Sequence, residues 1–213
     1  MKKCVIFDFD GTIADSFGAV SRIVDDMKKE EGKDVDFNDI RSLGILGFVK
    51  KARIPLWRLP GLTKRALSEM KDVDSLDMFS GMLGVLRALN KEYSLGIVSG
   101  SSEENILKFL KRHKAKELFD FVYSGSSLFG KARVLGKVCR ERGIRKEDVI
   151  YVGDEDRDVV AARKFGVDVI GVCWGFNSEE RLGEENPTYL ARKPKDILDF
   201  VSRKFGLKGN KKL

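Results

Sequence analysis

Apolar and polar positions along this chain follow two rhythms. Cys4 to Phe7 is an unbroken apolar run, the mark of a strand covered on both faces. It empties into Asp8-Phe9-Asp10-Gly11-Thr12. From Ser16 to Glu31, Phe17, Val20, Ile23, Val24 and Met27 recur at helical spacing, and Gly32 with Lys33 closes that helix. Residues 37–78 keep a mostly helical pattern, with breaks expected at Gly44, Gly47, Pro55 and Pro60-Gly61 and no convincing strand. From Ser80 the pattern alternates. Helices are predicted over 82–91, 103–114, 131–142, 157–165 and 196–205, and strands over 94–98, 119–123, 149–152 and 167–172. Strands alternating with helices predict an α/β fold with a parallel sheet and right-handed crossovers. The expected division is a catalytic core of residues 1–15 and 79–213, with residues 16–78 forming a small helical insert after the first strand.

Most of the strands end in small polar or acidic residues, namely Asp8, Ser99, Ser124 and Asp154. In a parallel sheet those ends share one rim, where open α/β sheets place their sites. In an extended chain Asp8 and Asp10 start on one face. Two carboxylates so close each resist ionisation unless a cation or donor sits between them, and Mg²⁺ suits that need. A carboxylate is also a competent nucleophile, and a second one can move a proton as general acid/base. Taken singly, each residue has a plainer explanation. Asp10-Gly11 is a turn signal, and Ser99 or Ser101 could cap the helix near Glu103. Lys131 could be a surface lysine, and Asp154 and Asp158 suit the first turn of a helix. Their arrival together at one rim argues for a site.

The sequence Asp8-Phe9-Asp10-Gly11-Thr12, then Ser99, Lys131 and Gly153-Asp154-Glu155-Asp156-Arg157-Asp158, resembles the haloacid-dehalogenase superfamily of phosphohydrolases. The insert and Trp174-Gly175-Phe176-Asn177 are similar to its phosphoglycolate-phosphatase-like branch. The resemblance implies a Rossmann-like three-layer parallel-sheet core with a small α-helical cap. It implies a Mg²⁺-dependent phosphatase working through an aspartyl-phosphate, with Asp8 as nucleophile and Asp10 as acid/base. The metal ligands it implies are the Asp8 carboxylate, the Asp10 backbone carbonyl and Asp154. Ser99 would bind phosphate and Lys131 would be the fixed cation. Asp158 would hold Lys131 or a metal-bound water, with Gly100 and Thr12 also in support.

Charge bears on the substrate. The net charge is +7, and residues 40–68 carry no acid at all. That stretch attracts anions, so Lys50, Arg53 and Arg58 are candidates to hold a second anionic group such as a carboxylate. The expected substrate is a small phosphorylated metabolite, with 2-phosphoglycolate leading. A phosphomutase, or a phosphonatase using Lys50 or Lys51 as its amine, is an alternative on the same scaffold. A non-catalytic basic nucleic-acid binder is a third reading, but no recognised binding motif accompanies the charge. Gly125-x-x-x-x-Gly130-Lys131 resembles a nucleotide loop, but Ala132 stands where Ser or Thr is required. The lone His113 lacks a serine or cysteine partner, and Trp57 and Trp174 read as packing residues, Trp174 and Phe176 near the site. Cys4, Cys139 and Cys173 offer neither a disulfide framework nor a metal pattern. No apolar run is long enough to span a membrane, so the expectation is a cytoplasmic monomer or homodimer.

Overall fold

Strand β1 (Cys4–Phe7) is completely buried, as a run of four apolar residues requires. It stands in the middle of a six-stranded sheet. The computed structural model describes residues 2–62, 65, 76–124 and 130–206. The sheet order is β5 (Phe121–Tyr123), β4 (Ser94–Val98), β1, β6 (Val149–Gly153), β7 (Asp168–Val172) and β8 (Tyr189–Ala191), with every neighbouring pair parallel. The order steps outward from β1 in both directions. The carboxyl end of β1 is therefore the topological switch point, with the ends of β4 and β6 on either side.

Alternation along β1 builds two cores. Val5 and Phe7 face helices α3 (Met82–Asn90), α4 (Glu103–Arg112) and α8 (Pro194–Phe205) through Leu86, Phe109 and Val201. Cys4 and Ile6 face α5 (Lys131–Arg142) and α6 (Asp156–Phe165) through Leu135, Val138 and Val159. Helices on both faces give the three-layer architecture. Each buried Val, Leu, Ile or Phe stabilises it by roughly 1.5–3 kcal/mol.

After β1 the chain leaves through β2 (Ala14–Asp15) and returns through β3 (Asp77–Met78), paired antiparallel with Ala14 opposite Met78. The excursion between them holds α1 (Phe17–Glu31) and α2 (Phe37–Lys51), which share an apolar cluster of their own including Ile23, Met27, Ile40, Phe48 and Ile54. Asp36 caps α2 with a reciprocal bond to Asp39. The helix kinks at Gly44, whose φ of 67° and ψ of 174° are not helical.

Several details depart from the sequence reading. The helix continues through Gly47, so that expected break is absent. The β2–β3 ribbon was not expected, nor were α7 (Glu179–Glu184) and β8, which are too short to show a period. Trp57 is not a packing residue, being 79% exposed on a short 3₁₀ turn, Leu56–Arg58. Lys64, most of the predicted helical stretch after Thr63, the glycine loop at 125–129 and the lysines of the tail beyond Gly206 lie outside the described residues.

Candidate active site

Lys131 opens α5, yet it is only 6% exposed. Its ammonium donates to Asp8 Oδ2 and to Asp158 Oδ1, and both carboxylates are buried. The surface-lysine reading is thereby excluded. Asp8 follows β1 and is fixed by its own amide, which donates to the Val152 carbonyl at 2.8 Å. The other Asp8 oxygen accepts from the Phe9 amide at 2.8 Å. Asp158, in the first turn of α6, uses its second oxygen to accept from the Glu155 amide at 3.2 Å. Helix capping and lysine holding thus occupy its two oxygens separately.

Asp154 follows β6 and is fully buried. Its oxygens accept from Thr12 Oγ1 at 2.7 Å and from the Phe176 amide at 2.7 Å. Gly11 lets the first loop come this close. Its φ of 71° is the left-handed region, and a Cβ there would overlap the Asp154 carboxylate. Trp174 closes the other side, donating from Nε1 to the Thr12 carbonyl at 3.2 Å.

Asp10 is held from β4's end. Ser101 Oγ donates to Asp10 Oδ2 at 2.5 Å, and the Ser101 amide donates to Ser99 Oγ at 3.1 Å. Asp10 Oδ1 is buried and has no hydrogen-bond partner among the described residues. The cap of α4 is Ser102, which accepts from the Asn105 amide, so Ser99 and Ser101 are free of that duty. Gly100 lies exposed at the turn between them.

Burial dominates the electrostatics. It pushes Asp8 up to about 7, against the pull of Lys131. It raises Asp10 against the Ser101 hydrogen bond. Burial also lifts Asp154 well above the usual carboxylate range, with Glu155, Asp8 and Asp158 adding repulsion. Burial alone would depress Lys131, but Asp158 and Asp8 outweigh it and hold the ammonium well above its ordinary value. One oxygen each of Asp8, Asp154 and Asp158 lie within 4.8 Å of one another. Three buried carboxylate oxygens this close together fit a hard divalent cation.

The structure does not bring Lys50, Arg53 or Arg58 to this cluster. Arg58 forks onto Glu31 of α1 through two bonds of 2.9 Å. Lys50 and Arg53 are exposed, and Lys51 pairs with Asp39 at 2.7 Å. Lys51, Arg58 and Arg65 of the acid-free stretch find acids from neighbouring segments instead, which a linear scan does not reveal. The stretch meets the core through Arg41, whose guanidinium reaches the Cys173 carbonyl at 3.4 Å and lies over the Phe17 ring. Asn177 was not singled out and is buried at this joint. Its amide nitrogen donates to the Ile40 carbonyl at 3.2 Å, and its oxygen accepts from the Asp156 amide at 2.7 Å. Phe17, Phe37 and Phe176 pack together beside it, Phe17 and Phe176 at 5.1 Å between centroids. His113 ends α4 and packs on Phe109, at 4.3 Å between centroids.

A lysine-bound carboxylate, a second carboxylate two residues on and a buried acidic pair gather at the switch point of a parallel sheet, where open α/β folds place their ligand sites. Residues 5–172 match the family model of haloacid dehalogenase-like hydrolases. The chain belongs to that family, as a phosphatase. It is 33% identical over 207 residues to the phosphoglycolate phosphatase of Synechococcus elongatus, covering 94% of this chain and 98% of that protein. A pyrophosphatase of Halalkalibacterium halodurans is 26% identical over 133 residues, covering 61% of this chain and 62% of that protein. The fold is similar to a haloacid dehalogenase-like hydrolase from Streptococcus pneumoniae, with a TM-score of 0.77 and 23% identity, covering 94% of this chain and 98% of that one. Among the described residues, no helix is long and apolar enough to cross a membrane.

Proposed function

We propose that this chain is a Mg²⁺-dependent phosphatase of a small phosphorylated metabolite, with 2-phosphoglycolate the leading substrate, acting through a phosphate ester of Asp8. The observation that carries the reaction is Asp8 held by a buried Lys131 while Asp10 keeps one carboxylate oxygen without a partner among the described residues. Asp8 attacks phosphorus and the leaving oxygen departs with a proton from Asp10. Asp10 then takes a proton from the water that cleaves the phosphorylated Asp8. Splitting hydrolysis this way replaces one difficult step with two easier ones.

Lys131 keeps Asp8 oriented and offsets the charge of the incoming phosphoryl group. The Ser99 hydroxyl sits between the ends of β1 and β5 and donates to a phosphoryl oxygen. Mg²⁺ would be held by the carboxylates of Asp8 and Asp154 and the Asp10 carbonyl. When bound, it would cancel negative charge on the phosphoryl oxygens and on Asp8. Asp158, committed to Lys131 and the Glu155 amide, acts as the holder of Lys131. Residues 16–78 serve as the cap that covers the bound substrate.

Support for the substrate comes from the Synechococcus relative, which aligns along nearly the whole of both chains. Pyrophosphate is a second reading, favoured by the name of the Halalkalibacterium relative. The test is phosphate release from 2-phosphoglycolate, pyrophosphate, p-nitrophenyl phosphate and a broader panel of metabolites, with Mg²⁺ and with EDTA. Expected are highest kcat/KM on 2-phosphoglycolate, dependence on Mg²⁺, and loss of release in Asp8→Asn. Retained activity in Asp8→Asn overturns the nucleophile, and a higher kcat/KM on another compound overturns the substrate.

A further inference from the structure

We propose that Ser101 is the positioning residue of the proton-transferring carboxylate: it occupies Asp10 Oδ2 and thereby reserves Oδ1 for the proton. The inference rests on the acid/base role given to Asp10 above and adds which group aims it.

The geometry is specific. Ser101 is 4% exposed, and its single hydroxyl proton is spent on Asp10 Oδ2 at 2.5 Å. Its amide is spent on Ser99 Oγ at 3.1 Å. One residue therefore ties the proposed phosphate-binding hydroxyl to the proposed acid. Ser16 Oγ is also buried and near enough to pull the Asp10 carboxyl down, as Ser101 does more strongly, yet it completes no hydrogen bond among the described residues. The hydroxyl that holds Asp10 is that of Ser101. Asp10 Oδ1, buried and unpartnered among the described residues, is the oxygen left to react. A buried polar atom left without a partner calls for an explanation.

The chemistry supplies one. As the bond from Asp8 to phosphorus forms and the bond from phosphorus to the leaving oxygen breaks, the proton on Oδ1 passes to that oxygen. Asp10 is then a carboxylate. A hydroxyl bonds a carboxylate more strongly than a neutral carboxyl, so the Ser101 bond tightens as the proton departs. In the second step Oδ1 takes a proton from the attacking water and the acid is restored. In the step that forms the phosphorylated Asp8, serine at 101 thus favours the transition state over the ground state, the condition for a gain in rate.

A leaving-group comparison tests this. The ratio kcat/KM reports steps up to phosphoryl transfer to Asp8. An alkyl phosphate such as 2-phosphoglycolate needs a proton on its leaving oxygen, whereas p-nitrophenolate leaves almost unaided. Ser101→Ala is expected to lower kcat/KM about 10- to 100-fold on the alkyl ester and under about threefold on p-nitrophenyl phosphate. Ser101→Thr should restore most of the loss. Ser102→Ala, which removes the true helix cap, should change both substrates alike. Equal loss on both substrates in Ser101→Ala, or no loss, overturns the proposal. If Ser101→Ala does not fold, Ser101→Cys keeps the volume with a weak donor and must show the same split. Asp10→Asn separates the two levels. Unchanged alkyl-ester turnover in that variant removes the acid/base reading itself, while severe loss there with a uniform effect in Ser101→Ala removes only the role of Ser101.

Discussion

Lys131 shows what a single residue can and cannot announce. As a letter in the sequence it is one of many lysines in a basic chain, at the start of a helix where exposure is the common fate. Folded, it is the cation between two buried carboxylates. Removing one member of such a group leaves charge buried without compensation, which costs about 3–5 kcal/mol. Lys131→Met should therefore lower unfolding free energy by about that amount in urea melts and abolish phosphate release. Asp8 and Asp10 were legible because a strand end and a two-residue spacing are sequence properties. Ser101 was visible only as a capping candidate, because its partner Asp10 lies 91 positions away. Arg58 was misjudged for the same reason, since its fork closes on Glu31, 27 positions off.

At the scale of elements, the joint between α2 and the core is made by a defect in the helix. Gly44 leaves helical geometry, and the carbonyls of Ile40 and Arg41 in the turn before it take hydrogen bonds from the core. Asn177 Nδ2 donates to Ile40, and the Ser178 amide donates to Arg41 at 2.8 Å. The left-handed φ of Gly44 also brings its Cα against Asp156, where a Cβ would lie 2.7 Å from Oδ2. Asn177→Ala removes both side-chain bonds, the one to the buried Ile40 carbonyl and the one from the half-buried Asp156 amide. It should cost about 1–3 kcal/mol in thermal or urea unfolding and hasten proteolytic cutting within α1 and α2. Cutting at the unaltered rate would show that the joint is held by the Phe17–Phe37–Phe176 cluster alone. A glycine that breaks a helix was readable from the sequence, but the partners of these carbonyls were not.

For the whole molecule, the site makes stability depend on pH. Asp8 ionises near 7 in the fold against 3.8 ordinarily, and burial raises Asp10 and Asp154 in the same direction. The metal-free folded form therefore binds more protons than the unfolded chain across that window. Its stability should be highest at the acid end and fall as pH rises through about 7. Asp8→Asn should flatten that slope. Because a cation favours the ionised carboxylates, Mg²⁺ should raise Tm more above pH 7 than below pH 5. Scanning calorimetry in EDTA and in Mg²⁺ checks both; an equal Mg²⁺ effect at the two ends would contradict the proposed ligand set.

The sequence by itself determined the alternation of strands and helices, the parallel sheet and the rim on which Asp8, Ser99 and Asp154 stand. Those follow from periodicity and from the residues that end each strand, both local properties of the chain. It did not determine β8, the β2–β3 ribbon, the pairing of Lys131 with Asp8 and Asp158, or the hydroxyl that holds Asp10. Only the tertiary structure decided these, because burial and hydrogen-bond partnership depend on which distant segments the fold brings together. The first rim residue, Asp8, was evident from its strand; its burial and its bonds to β6 and to Lys131 of α5 come from the fold.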